Sequence, residues 1–243
     1  MNGKGGSLKG ILLQLLSFVL IPLPSRLKIP IYRRVFGYQI GKHVKIGWSW
    51  IMVGKLKIGD YVIIGHFNRF KYVPEVSIGD YSAIADFNTF TSCAEFTNEA
   101  GMAHRGNRPR LVIGDHVGIA AFHLFDVQDE MTIGSFTTIA GKGSIFMTHY
   151  LEVMTAEQTA KPLRIGDYCM VGARVCFVPG SGVPDFSVVG MGAVVTKLFT
   201  ESHCLIAGNP AKVNKKYPED APYFNRTEGF ISSYASPPYR KRK

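Results

Sequence analysis

Aliphatic residues recur at six-residue steps along most of this chain, often with glycine next. The series runs Ile40, Ile46, Met52, Ile58, Ile64 and Phe70, and restarts at Ile78, Ile84 and Phe90. It resumes at Ile113, Ile119 and Phe125 and at Ile133, Ile139 and Ile145, then closes with Ile165, Val171, Phe177, Val183, Val189 and Val195. On an α-helix six residues advance about 600°, which throws successive members onto different faces; on a strand an even step keeps them on one face. The repeat is therefore made of short strands, with the following glycine, as at Gly41, Gly59, Gly79 and Gly166, supplying a tight bend. Three hexapeptides close one coil. Coil starts at Ile40, Ile58, Ile78, Ile113, Ile133, Ile165 and Val183 predict about seven stacked coils, a parallel β-helix.

Register gives an internal check. Twelve residues after successive coil starts stand Phe70, Phe90, Phe125, Ile145 and Phe177, an apolar column suited to the interior. Two positions earlier stand Asn68, Asn88 and His123, then Gly143 and Val175; stacked asparagines can hydrogen-bond along such a ladder, and His123 reads as one of its rungs. Two insertions, near 93–110 and 148–163, leave the stack after the same part of their coils, and so emerge on one side. Long excursions from a regular scaffold are where function concentrates. The first carries Glu95, Glu99, His104 and Arg105, the second His149, Glu152 and Glu157.

With 46% hydrophobic and 19% charged residues among 243, against 26 glycines and 13 prolines, the composition argues against disorder, coiled coil and a simple helix bundle. A net charge of +10 favours anionic partners without choosing among them. The four cysteines, Cys93, Cys169, Cys176 and Cys204, form no CxxC pair and no disulfide framework, so reduced thiols in the cytosol fit best. The apolar run at 11–21 would make a helix only about 16 Å long, too short for roughly 30 Å of hydrocarbon. No small-x-small cleavage site follows it, so a signal peptide is not expected. Residues 1–39 read as an amphipathic helix or cap, 40–213 as the β-helix, and 214–243 as an irregular extension with a basic end.

The stretch 133–216 resembles the hexapeptide-repeat acyltransferases of the maltose and galactoside acetyltransferase type. The resemblance rests on Ile139-Ala-Gly ahead of Met147-Thr-His149, on Lys161-Pro-Leu-Arg-Ile-Gly-Asp, on Val189-Gly-Met-Gly-Ala-Val-Val-Thr-Lys197, and on Ala207-Gly-Asn-Pro-Ala-Lys-Val, in the family's order and spacing. It implies a left-handed β-helix, a homotrimer with three active sites between subunits, and acyl transfer from acetyl-CoA to a hydroxyl or amine.

His149 matches the family's catalytic histidine, and the chemistry asks for one: a hydroxyl attacking a thioester must lose its proton as the bond forms, which neutral imidazole does at cytosolic pH. His123 takes the place of an acceptor-binding Asn or Asp, which makes it an acceptor contact or only a ladder rung. Asp126 and Tyr150 are further acceptor candidates. Tyr150 and Met170 depart from the Pro and Trp common in the family, so the acceptor is not transferable from maltose or galactoside. For the co-substrate, the resemblance puts backbone at Ala173 and Met191 against pantetheine and Thr196, Lys197, Lys212 and Lys215 near the phosphates, where positive charge has an electrostatic reason to be.

Leu8, Ile11, Leu12, Leu15, Leu16 and Val19, with Lys4, Lys9, Arg26, Lys28, Arg33 and Arg34 nearby, suit either an interfacial helix on an acidic membrane face or a cap over the open first coil. Either O-acetylation of a saccharide, such as a surface-polysaccharide or lipid-linked precursor, or N-acetylation of an amino-sugar nucleotide fits; the apolar N-terminus favours the first. A non-catalytic scaffold is the remaining alternative. Zinc chemistry on this scaffold needs paired histidines that the seven present do not form, so no metal is expected. Nucleic-acid binding would rest on charge alone and is not expected.

Overall fold

A computed structural model of the chain describes residues 8–93 and 106–229. Glu95, Glu99, His104, Arg105, Lys4 and the basic end lie outside the described residues. The architecture is the expected left-handed parallel β-helix of hexapeptide repeats, with helices ahead of it and an irregular extension behind.

Three parallel sheets form the faces of a prism. In sheet A the strands Gln39–Ile40, Lys55–Ile58, Glu75–Ile78, Arg110–Ile113, Met131–Ile133, Leu163–Ile165 and Gly182–Val183 stack in that order, and each ends on one of the seven coil starts. Those seven residues pair in register from coil to coil and are all buried. Sheet B carries the next aliphatic of each coil, from Ile46 to Val189, and sheet C the third, from Trp50–Met52 up to Val194–Val195.

The core is one column of side chains per face. Phe70, Phe90, Phe125, Phe146 and Phe177 stack with centroids 4.3 to 5.3 Å apart and no more than 1% exposed. The six-residue step misplaces two members of this column. Ile51, not Met52, faces inward in the first coil, and Phe146, not Ile145, in the fifth, where Ile145 is 37% exposed. The fifth coil holds an extra residue at the turn after Ile139, where Gly141 and Gly143 both adopt the left-handed backbone that lets the chain loop out and rejoin register. The same slip moves the ladder position from Gly143 to Ser144. The ladder itself is real: Ser49 Oγ, Asn68 Oδ1, Asn88 Oδ1, His123 Nδ1 and Ser144 Oγ each accept the backbone N–H of the next coil.

The corner between sheets A and B has a second device. Asp60, Asp80, Asp115, Asp167 and Asp185 each accept a backbone N–H from the preceding coil at 2.7 to 2.9 Å, which commits much of the chain's acidic complement to the scaffold. Rings at the same corner stack in a continuous file from His43 through Tyr61, Tyr81, His116, Phe136, Tyr168 and Phe186 to His203. Phe224 of the C-terminal extension closes its upper end edge-on.

Beyond Val195 the pattern does not stop: Cys204–Gly208 adds in parallel to sheet B and Ala211–Lys216 returns antiparallel beside it. At the other end two helices, α1 (Leu8–Val19) and α2 (Ser25–Val35), follow one another across the first coil. Phe18 stacks on Trp50 at 4.7 Å, and the Trp50 indole donates to Ser17 Oγ. Lys28, buried at the helix junction, donates to the carbonyls of Ile21 and Gly47; burial lowers its pKa to about 8.

Candidate active site

Both insertions depart from the ends of sheet C strands, Thr89–Thr91 and Ile145–Met147, at the corner where the chain passes from sheet C to sheet A. The second is an antiparallel hairpin of His149–Glu152 with Glu157–Ala160. It opens with His149 and is closed at its base by the Lys161 N–H donating to the Thr148 carbonyl.

One coil earlier, Leu124–Asp126 runs beside Ile145–Met147, with Asp126 level with Met147. From that position the Asp126 carboxylate reaches His149, Oδ1 to Nδ1 at 2.8 Å, the Asp126 side chain 11% and the His149 side chain 32% exposed. The acid thus sits inside the wall while the ring stands at its rim. The hydrogen bond to Asp126 holds the imidazole pKa above its usual value; burial acts against this, and the carboxylate's charge adds to it. With Nδ1–H donating to Asp126, the second ring nitrogen, Nε2, carries the lone pair, the tautomer a general base needs.

The corner under this pair is rigid. Thr148 Oγ1, fully buried, donates to the Asp126 carbonyl and accepts from the N–H groups of Gln128 and Asp129. Asp129 in turn accepts from the N–H groups of Glu130 and Arg108. No local sequence pattern marks Thr148, Gln128 or Asp129 for this corner. Asp126, an acceptor candidate by its place in the sequence, has its carboxylate Oδ1 engaged by His149.

The remaining acceptor candidates lie elsewhere. His123 is 1% exposed and faces the interior as a ladder rung, so it has no surface to offer an acceptor; burial lowers its pKa to about 4, the Gly141 carbonyl alone pulling the other way, and the ring stays neutral. Tyr150 is next to His149 on a strand, where successive side chains point to opposite faces, and its ring lies under the Lys161 ammonium at 5.4 Å.

The co-substrate candidates fall into two groups. Ala173 and Met191 stack one coil apart at the corner between sheets B and C, where the Gly192 N–H donates to the Ala173 carbonyl; Met191 is 76% exposed. Thr196 and Lys197 follow the last sheet C strand at the opposite edge, on the same corner as His149. There Lys197 and Lys212 line one cavity of about 190 Å³ with Thr200 and Glu201. Lys215 is outside that cavity, its ammonium over the Tyr217 ring. Of the four thiols, Cys169 is buried under sheet B with its pKa pushed up to about 12 and Cys204 is buried at the upper end, while Cys93 and Cys176 are half-buried.

No protein-family model matches the chain. Among curated proteins it is similar to "Putative acetyltransferase SACOL2570" of Staphylococcus aureus (strain COL), 40% identical over 65 residues, which are 27% of this chain and 32% of that protein. It is also similar to the acetyltransferase-named YvoF of Bacillus subtilis (strain 168), 26% identical over 106 residues, 43% of this chain and 59% of the relative. The chain therefore spans about a third of the length of the staphylococcal relative it matches. Among solved structures it is similar to a maltose O-acetyltransferase from Clostridium difficile 630 (17% identity, TM-score 0.40, 85% of this chain and 86% of that one). The AntD N-acyltransferase from Bacillus cereus, solved with dTDP-4-amino-4,6-dideoxyglucose and coenzyme A, is a further neighbour (14% identity, TM-score 0.49, 79% and 89%).

Proposed function

We propose that this chain is an acyltransferase that moves an acetyl group from acetyl-CoA to a hydroxyl of a saccharide, with His149 as general base. The observation that carries the reading is the Asp126–His149 pair: a buried carboxylate fixes the tautomer of a rim-exposed imidazole whose Nε2 is left to take a proton. Agreement of the four sequence motifs with the acyltransferase pattern, and relatives named as acetyltransferases, support it.

In the step itself, His149 Nε2 removes the acceptor hydroxyl proton while the oxygen bonds to the thioester carbon. The C–S bond then breaks, the departing sulfur receives that proton from the imidazolium, and the ester and free CoA leave. The Asp126 carboxylate beside it steadies the positive ring. Lys197 and Lys212 would pair with the phosphates, while the Ala173 and Met191 backbone would flank the pantetheine. These two groups sit on opposite edges of sheet C, as does His149 from Ala173. A homotrimer that sets one copy's sheet C–A corner against the next copy's sheet B–C corner would unite them, which favours sites between subunits. Use of acetyl-CoA argues for a cytoplasmic setting.

Mass spectrometry of candidate glycans incubated with acetyl-CoA and the protein tests the reading. Wild type adds one acetyl unit and His149→Ala adds none; unchanged turnover by the variant removes His149 as base, and acetylation only of amino sugars removes the hydroxyl acceptor.

A further inference from the structure

The chain's charge is sharply divided. No acidic residue precedes Asp60, while ten of the 28 Lys and Arg do, so the whole net charge of +10 belongs to the first 59 residues and the remainder balances to zero. In the structure this basic segment is the helical end of the prism: Lys9, Arg26, Arg33, Arg34, Lys42 and Lys45 are all exposed there.

On the same end α1 is mostly apolar, its polar side chains being Lys9, Gln14 and Ser17. Its inner side is used: Ser17 is buried under the Trp50 indole, and Leu16 packs on the core. Its outer side is not. Leu8, Ile11, Leu12, Leu15 and Val19, spaced three and four apart and thus one continuous stripe, are 45 to 74% exposed, and Phe18, stacked on Trp50, still leaves 43% of its surface open beside them. Trp48 on the first coil is 51% exposed as well. A helix of 12 residues is about 18 Å long, and among the described residues no helix is long and apolar enough to cross a membrane.

We propose that this end of the prism seats on an anionic lipid surface, with α1 lying in the headgroup region, its outer stripe in the acyl boundary and the surrounding Lys and Arg on lipid phosphates. An apolar stripe inside a field of one sign is what such a surface takes. A second copy meeting the same face would bring a like-charged end against it, and a nucleic acid would leave the stripe unburied. The seat is preset: the stacking of Phe18 on Trp50 and the Lys28 bonds to Ile21 and Gly47 clamp both helices to the first coil. α1 packs on Trp50–Met52, the first strand of sheet C, and the strand that leads into His149 is four strands up the same sheet, about 19 Å away at 4.8 Å per strand. If the acyl-transfer reading holds, a saccharide carried on a lipid becomes the natural acceptor; the seat itself does not depend on that reading.

The test is flotation of the full-length protein with phosphatidylcholine vesicles and with phosphatidylcholine–phosphatidylglycerol vesicles, without acetyl-CoA or acceptor, so that its outcome is separate from that of acyl transfer. The protein is expected to float with the anionic vesicles about tenfold or more above the neutral ones, and less as salt rises. Leu12→Gln/Leu15→Gln and, separately, Arg26→Glu/Arg34→Glu are expected each to lower that binding about tenfold or more while keeping the wild-type melting temperature and sedimentation mass, because these side chains face solvent. Absence of wild-type binding, equal binding by the folded variants, or a glutamine variant that changes sedimentation mass with vesicle binding intact overturns the proposal.

Discussion

Replacing Asp126 by asparagine takes one charge away from a point 2.8 Å from His149 Nδ1 and leaves the side chain's shape. The corner should survive, since Thr148 is held by the Asp126 backbone carbonyl and not by its carboxylate. A hydrogen bond to a charged partner contributes about 1.5–3 kcal/mol net, and each 1.36 kcal/mol is a factor of about ten, which sets the loss in kcat/KM at about tenfold to a hundredfold. The ring's partial exposure, 32%, argues for the lower part of that range. The pH profile reports the cause. Because Asp126 raises the His149 pKa, the acid limb of wild-type kcat/KM lies above the ordinary imidazole value of about 6.5, and in Asp126→Asn it moves to lower pH. Stability follows the same linkage: the pair's contribution is complete below the unfolded value of about 6.5 and fades as pH rises through the higher folded value, so wild type and variant differ most in mild acid. Steady-state kinetics across pH, with urea unfolding at two pH values, make the measurement. An unshifted acid limb with undiminished kcat/KM refutes the role given to Asp126.

Lys197→Ala/Lys212→Ala should raise the KM for acetyl-CoA about fivefold to twentyfold with little change in kcat, and the penalty should shrink with the dephospho thioester; equal KM values for wild type and variant contradict the phosphate role. Phe125→Ala opens a void between rings at 4.5 and 4.6 Å and should cost about 3–5 kcal/mol, a fall in melting temperature of roughly 6–20 °C by circular dichroism. A fall under about 3 °C contradicts a continuous packed column.

The repeat was legible because a β-helix imposes one rule on every coil: an inward aliphatic at a fixed even step. All seven coil starts obey it and all seven end sheet A strands. It failed where a turn gained or lost a residue, at Ile51 and Phe146, since a one-residue change in a turn leaves the strands paired while shifting the count. Cys204–Gly208 escaped for a related reason: Ile206 pairs with Val189 after a coil one residue shorter than three hexapeptides supply, so the six-residue count overshoots it. His149 was found through its motif, but its partner was not. The contact of Asp126 with His149 joins neighbouring coils through a hairpin whose direction no local pattern encodes. His123 shows the converse, a polar residue whose ladder register in the sequence already disclosed its structural use.

The central claim is that the rim imidazole meets a thioester. A crystal structure of the protein with coenzyme A bound tests it most directly. The account predicts the pantetheine sulfur about 3.5 Å from His149 Nε2, with Ala173 and Met191 of an adjoining copy along the arm. A pantetheine arm lying in a groove that His149 does not reach contradicts it.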